Sequence, residues 1–254
     1  MNSKIDYSIK LLKQFEPMAL EMQDYGYHLA FSGGKDSQVI HELAKMSGVK
    51  FKAFFNKTSI DPPEVLKFIR KNYPDVEWIK PEMTMYQIIY KEGMLPLRQA
   101  RFCCKILKET SGTNSVVITG ITNQESDKRK KRCEFEKSWI KKQNKWFLHI
   151  IKNWTVYEVF KFLKSRGIEW CSLYGTQTRI GCVGCPMAPK QMRKDFRERP
   201  NFKLAYINTV KKLMTDKGKY LEFENAEDAI DWWASGISKK KYLANKLQYE
   251  IKLK

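Results

Sequence analysis

At 254 residues, with 43% hydrophobic and 13% aromatic side chains, the chain is long enough to bury one substantial core with a small appended subdomain. No apolar run reaches the length of a membrane span, and the opening Met-Asn-Ser-Lys-Ile-Asp-Tyr lacks the apolar stretch and cleavage site of a secretory leader, so the expected address is cytoplasmic, away from membranes. The net charge of +19, from 47 Lys and Arg against 28 Asp and Glu, points to a polyanionic partner, against the plainer alternative of solvated lysine-rich faces.

In chain order, residues 5 to 24 carry apolar positions at helical spacing (Ile9, Leu12, Phe15, Met18, Met22) interrupted by Pro17, which predicts two short helices or one kinked helix. Tyr27 to Phe31 is the first strand, and Asp36 to Met46 is the helix that follows it. Phe51 to Asn56 is a second strand, and Asp61-Pro62-Pro63-Glu64 marks a helix start with Asp61 as cap and Pro62 at the first helical position. A third strand covers Val76 to Ile79, and a short helix runs from Met83 to Tyr90, ending near Gly93. Ser115 to Gly120, a continuous β-branched run, reads as a strand covered on both faces. A fifth strand is expected over Trp146 to Ile151, and a helix over Thr155 to Lys164 closed by Gly167. Beyond Met187 the pattern is helical and basic. Strands alternating with helices predict an α/β class, a doubly wound and mostly parallel sheet of about five strands with a helical C-terminal region. The expected division is an N-terminal helical arm (1–24), a nucleotide-binding α/β domain (25–186) and a basic helical region (187–254).

The turn Ser32-Gly33-Gly34-Lys35-Asp36-Ser37 joins the first strand to its helix. Adjacent glycines permit a tight turn that brings backbone N–H groups to a ligand, and the helix offers its positive end to an anion. Lys35 adds a point charge, Ser32 and Ser37 add hydroxyls, and Asp36 is placed to hold a metal-bound water or to orient the loop. The spacing is neither the Walker pattern nor the dinucleotide Gly-x-Gly-x-x-Gly.

Six cysteines are present: Cys103, Cys104, Cys133, Cys171, Cys182 and Cys185. In a chain of this size and expected address, clustered cysteines favour a metal or redox site over a disulfide framework. Four thiolates from Cys103-Cys104 and Cys182-x-x-Cys185 suit a 4Fe-4S cluster or, alternatively, zinc. Cys133 and Cys171 read as ordinary or auxiliary thiols, with Cys171 a candidate sulfur carrier.

The Ser-Gly-Gly-Lys-Asp-Ser turn resembles the PP-loop of the ATP pyrophosphatases, in which the loop holds departing pyrophosphate. The Cys-Cys and Cys-x-x-Cys-Pro pattern resembles that of the assimilatory adenylylsulfate reductases, which implies a 4Fe-4S cluster beside a nucleotide site. Thr119 to Arg129, with Gly120, Glu125 and Arg129, resembles the Glu-Ser-x-x-Arg stretch of the phosphoadenylylsulfate (PAPS) reductase-like proteins. The resemblance spans residues 25 to 190 and implies an adenine nucleotide alpha-hydrolase-like fold. It also implies that Lys35, Asp36 and Arg129 are catalytic and that Ser32, Gly33, Gly34, Ser37, Gly120, Glu125 and Arg101 help bind the nucleotide, with Arg98 in a similar role to Arg101.

Two departures set the expected activity. The loop is complete, whereas sulfonucleotide reductases usually carry a degenerate one, and no cysteine follows Cys185 to serve as their mobile nucleophile. The expected function is therefore an ATP pyrophosphatase, working with Mg²⁺, that adenylates a substrate for sulfur transfer on nucleic acid, either tRNA or DNA. A sulfur-donor protein is the expected partner, and a homodimer is compatible with this reading. The alternatives are a PAPS or adenylylsulfate reductase that releases sulfite, and a non-catalytic nucleic-acid-binding module.

Overall fold

The computed structural model describes residues 1–252. In chain order its elements are α1 (Asn2–Met22), β1 (Tyr27–Phe31), α2 (Lys35–Ser47), β2 (Phe51–Asn56), α3 (Pro63–Asn72), β3 (Glu77–Ile79), α4 (Met85–Glu92), α5 (Phe102–Leu107), β4 (Ser115–Ile118), α6 (Asp127–Lys130), β5 (Phe135–Lys137) and β6 (Lys145–Leu148). The helices α7 (Val156–Ser165), α8 (Pro189–Glu198), α9 (Pro200–Lys217), α10 (Ala226–Ser235) and α11 (Lys239–Lys252) follow. The chain forms two compact units, one of Met1–Lys57, Pro63–Lys80 and Glu109–Ile180, the other of Thr58–Pro62, Pro81–Lys108 and Gly181–Lys254. Among the described residues, no helix is long and apolar enough to cross a membrane.

The first unit holds the whole sheet, in the order β3-β2-β1-β4-β6-β5. All neighbours are parallel except β5, which runs antiparallel to β6. This sixth strand is an addition to the five expected, and its three residues are too short to show a period. The chain leaves β1 toward β2 and β3 and later returns to β4 on the other side of β1. The carboxyl ends of β1 and β4 therefore flank the topological switch point, where ligands of such sheets bind.

The core of this unit sets those ends firmly. Tyr27, Leu29, Val116 and Ile118 on β1 and β4 are fully buried, as are Val39, Ile40, Leu43 and Ala44 of α2. Pro17 does not divide α1, which is a single helix. Pro17 is exposed, so the carbonyl that it leaves without an N–H partner meets water rather than the core. Asp61 is not the cap of α3, which begins at Pro63; its carboxylate instead accepts from the Thr58 backbone N–H at 2.6 Å and from Thr58 Oγ1 at 2.8 Å.

The second unit is helical and has its own apolar cluster, including Met85, Ile88, Ile89, Tyr206, Val210, Leu213, Ala229, Ile230 and Trp233. Thr84 opens α4 through a capping box with Gln87, and Asn225 caps α10. Both local signals agree with the tertiary packing.

Candidate nucleotide and cysteine sites

The turn after β1 is built around Gly33, whose φ is +70°. A Cβ there would lie 2.9 Å from Ile69 Cγ1 and 3.1 Å from Val65 Cγ1, so the loop packs directly on α3 and only glycine fits without strain. Gly34 is the residue before α2. Ser37 Oγ donates to the Gly34 carbonyl at 2.7 Å and lies 3.3 Å from Ser32 Oγ. The Lys35 backbone N–H donates to Tyr174 Oη at 2.9 Å. These contacts hold the turn open at the N-terminus of a three-and-a-half-turn helix, where the dipole favours an anion.

Lys35 is only 8% exposed, and its Nζ lies 2.6 Å from Asp36 Oδ2. Burial pushes the Asp36 carboxyl above the usual carboxylate range; the Lys35 ammonium opposes this and Glu125 adds to it. Gly120, just past the end of β4, allows this crowding, since a Cβ there would meet the Asp36 backbone carbonyl at 3.0 Å. Its place is thus against the loop itself.

Glu125 closes a capping box with Thr122 and is ion-paired with Arg129. Ser126 caps the short α6 by accepting from the Arg129 N–H at 3.3 Å. The first unit therefore gathers Ser32, Gly33, Gly34, Lys35, Asp36, Ser37 and Gly120, with Glu125 and Arg129 paired in the segment after β4. Tyr174 was missed by the sequence reading: it sits in a short turn, 139 residues from its partner Lys35, and carries no motif.

Arg101 and the four clustered cysteines belong to the second unit. Arg101 is exposed at the start of α5, and Cys103 and Cys104 lie on that helix. Cys182 and Cys185 flank a turn fixed by the Val183 N–H donating to the Ile60 carbonyl at 2.9 Å and by Tyr206 Oη donating to the Val183 carbonyl at 3.1 Å. The Cys103 thiol is pushed up by its hydrogen bond with Cys104, then by burial, with Cys182 adding. Burial pushes up Cys185, and both Cys182 and Cys104 contribute. The four sulfurs therefore feel one another's charge.

The Lys108 ammonium is favoured mainly by its closeness to Cys182, with Cys104 contributing. Its backbone N–H donates to the Cys104 carbonyl at 2.9 Å, a spacing of four residues that could have been read from the sequence. Among the described residues no three His, Cys, Asp or Glu side chains are gathered as they would be around one metal ion. Four cysteines are the donor number that a cubane cluster takes. Cys171 is fully buried, and burial raises its thiol; it is unsuited to carrying sulfur to a partner. Cys133 is exposed.

A mostly parallel sheet with a glycine turn at its switch point and a helix N-terminus behind it is the adenine nucleotide alpha-hydrolase-like fold. Residues 26–188 match the phosphoadenosine phosphosulfate reductase domain, and the chain belongs to that family. The uncharacterised protein MJ0973 of Methanocaldococcus jannaschii is 27% identical over 192 residues, which cover 71% of this chain and 46% of the relative. Among solved structures, the FMN adenylyltransferase of Candida glabrata in complex with FAD and inorganic pyrophosphate superposes with a TM-score of 0.53 at 15% identity, over 71% of this chain and 63% of that one. Its complex with ATP gives 0.51 at 15% identity, over 71% and 60%. The chain thus spans about half of the archaeal relative and under two thirds of the adenylyltransferase, and the latter likeness is one of fold.

Proposed function

We propose that the protein is an ATP pyrophosphatase of the PAPS reductase family that adenylates a substrate for sulfur transfer, with nucleic acid, tRNA or DNA, as the acceptor. The complete Ser32–Ser37 loop carries this reading: two glycines, a buried lysine and two hydroxyls converge at the N-terminus of α2. In this scheme the loop and helix end bind the β and γ phosphates of ATP, and Lys35 offsets charge that builds on departing pyrophosphate. An oxygen of the acceptor attacks the α phosphorus, the bond to the bridging oxygen breaks, and pyrophosphate leaves with that electron pair. A sulfur nucleophile from a donor protein then displaces AMP. Asp36 would hold a water of Mg²⁺ or orient the loop, and the ion would neutralise phosphate charge when bound. Arg129, once released from Glu125, is suited to pair with a phosphate oxygen.

Cys103, Cys104, Cys182 and Cys185 are proposed to hold a 4Fe-4S cluster rather than zinc. With all four irons held by cysteine, such a group supplies structure and electrostatic field. The test of that assignment is iron and sulfide content with visible absorbance after anaerobic purification; colourless protein containing zinc would overturn it.

The family also supports a second reading, a reductase that releases sulfite from a sulfonucleotide. Both readings are tested by giving the protein ATP with Mg²⁺ and nucleic acid, or PAPS with thiol, and scoring pyrophosphate and sulfite. The expected result is pyrophosphate from ATP, reduced at least about a hundredfold in Lys35→Ala, the scale of a lost electrostatic contact. Sulfite from PAPS without ATP turnover would reverse the order.

A further inference from the structure

The second unit contains a cavity of about 710 Å³ lined by residues from the ends of three helices and a short turn. The helices α4, α9 and α10 close on Gly93, Gly218 and Gly236, with φ of +68°, +58° and +72°. All three glycines line this cavity. A Cβ at Gly93 or Gly218 would meet only one side-chain atom within 4 Å, at 3.8 and 3.9 Å, so bare backbone lines the cavity at these two helix ends, while at the end of α10 Arg193 already donates to the Ala234 and Ser235 carbonyls at 3.0 and 3.2 Å. Such carbonyls are acceptors for N–H groups.

The aromatic wall is Trp232 and Tyr220, whose rings lie 6.2 Å apart. Trp232 is 7% exposed, and its indole N–H is buried with no hydrogen-bond partner among the described residues. Tyr220 is fixed because its Oη accepts from the Leu95 N–H at 2.6 Å, and Trp233 donates to the Pro96 carbonyl at 2.7 Å. Leu97 and Ala100 exchange both backbone hydrogen bonds at 3.2 Å, which places Arg98 and Gln99 at the tip of a tight turn that also lines the cavity. The charged lining is Arg98, Lys219, Lys239 and Glu222, with Glu222 paired to Lys239. One acidic side chain therefore faces three cationic ones.

We infer that this cavity receives one unpaired nucleotide of a single-stranded or bulged nucleic acid, with its base against Tyr220 beside the unpaired Trp232 indole N–H and its flanking phosphates on Arg98 and Lys219. Each part of the lining matches a part of that ligand. Aromatic faces stack on any base, helix-end carbonyls accept from exocyclic amino groups, and the cations take the phosphates. An inorganic anion alone would leave the aromatic wall and carbonyls unused. The site deepens the reading of a nucleic-acid acceptor given above and rests on it.

The test uses the full-length protein and three fluorescent duplexes: fully paired, with a one-nucleotide bulge, and with an abasic bulge. Binding is followed by anisotropy and by quenching of tryptophan emission. The expected preference for the bulge over both controls is about tenfold, within the range measured for a stacked base. Gln99→Trp, which fills the cavity from an exposed position, and the double variant Arg98→Glu/Lys219→Glu should each abolish the preference while keeping the melting temperature. Equal binding to all three duplexes, or a preference that survives Gln99→Trp, would overturn the inference. So would complete displacement of the bulge by equimolar AMP, which would make the cavity a free-nucleotide site. Pyrophosphate release from ATP is scored separately, so a protein that prefers the bulge but releases none contradicts the proposed reaction and leaves the cavity assignment standing.

Discussion

Asp36 and His28 have opposite effects on the pH dependence of stability. Asp36 has its carboxyl raised by burial, so its contribution is full below the unfolded value near 3.8 and is lost as pH rises through the higher folded value. His28 is 3% exposed, stacks on Phe54 with centroids 4.2 Å apart, and has its pKa lowered by burial to about 4. Its contribution is full above 6.5 and is lost as pH falls toward 4. Two substitutions separate these effects in thermal melts. Asp36→Asn should flatten the fall in stability as pH rises above the unfolded carboxyl value while abolishing pyrophosphate release. His28→Phe should flatten the loss between pH 6.5 and 4 by roughly 2 kcal/mol. An Asp36→Asn protein whose stability falls with rising pH as the wild type's does, or a His28→Phe protein with an unchanged acid slope, would contradict these assignments. Asp36 was legible because it stands in a motif; Tyr174, which receives the Lys35 N–H, was not, because no local pattern marks a contact made by two distant segments.

At the scale of elements, the unit formed by β1, the loop and α2 works because α3 packs beneath it. Gly33→Ala should cost about 1–3 kcal/mol, from the positive φ and from contact with Ile69. Part of that cost is relieved by trimming Ile69, so Gly33→Ala/Ile69→Val should be more stable than the sum of the single variants by about 0.5 kcal/mol or more. Strict additivity in denaturant melts would mean that the loop is not seated on α3. The elements most legible in the sequence were those long enough to show a period or a β-branched run, β1, β2, β4, α2 and α7, while β3, α4 and β6 were read from shorter apolar runs with bounds that differ by a few residues. The three-residue β5 and the six-residue α5 fall below that length, and α5 is fixed by tertiary packing, with Leu107 buried in the helical cluster. The cysteine spacing was plain, but that Lys108 ends the same helix was overlooked.

For the whole molecule, a net charge of +19 has a consequence that no single site has. Residues 128 to 145 hold nine basic and two acidic side chains, and the connection between β5 and β6 within that stretch presents Trp139 at 85% exposure between Lys137 and Lys141, both exposed. An aromatic ring left in water beside lysines is the arrangement used to stack on a base while the backbone is held by charge. The two contributions separate by their salt dependence. If about five phosphates are neutralised, the logarithm of the binding constant should fall with the logarithm of salt concentration at a slope of about −4. Lys141→Glu/Lys142→Glu should make that slope shallower by about 1 to 2, because fewer counterions are released. Trp139→Ala should leave the slope unchanged and weaken single-strand binding by roughly fivefold or more. A slope near zero in the wild-type protein would instead mean that its cations are solvated surface, and nucleic acid would then no longer be the acceptor that the charge suggests.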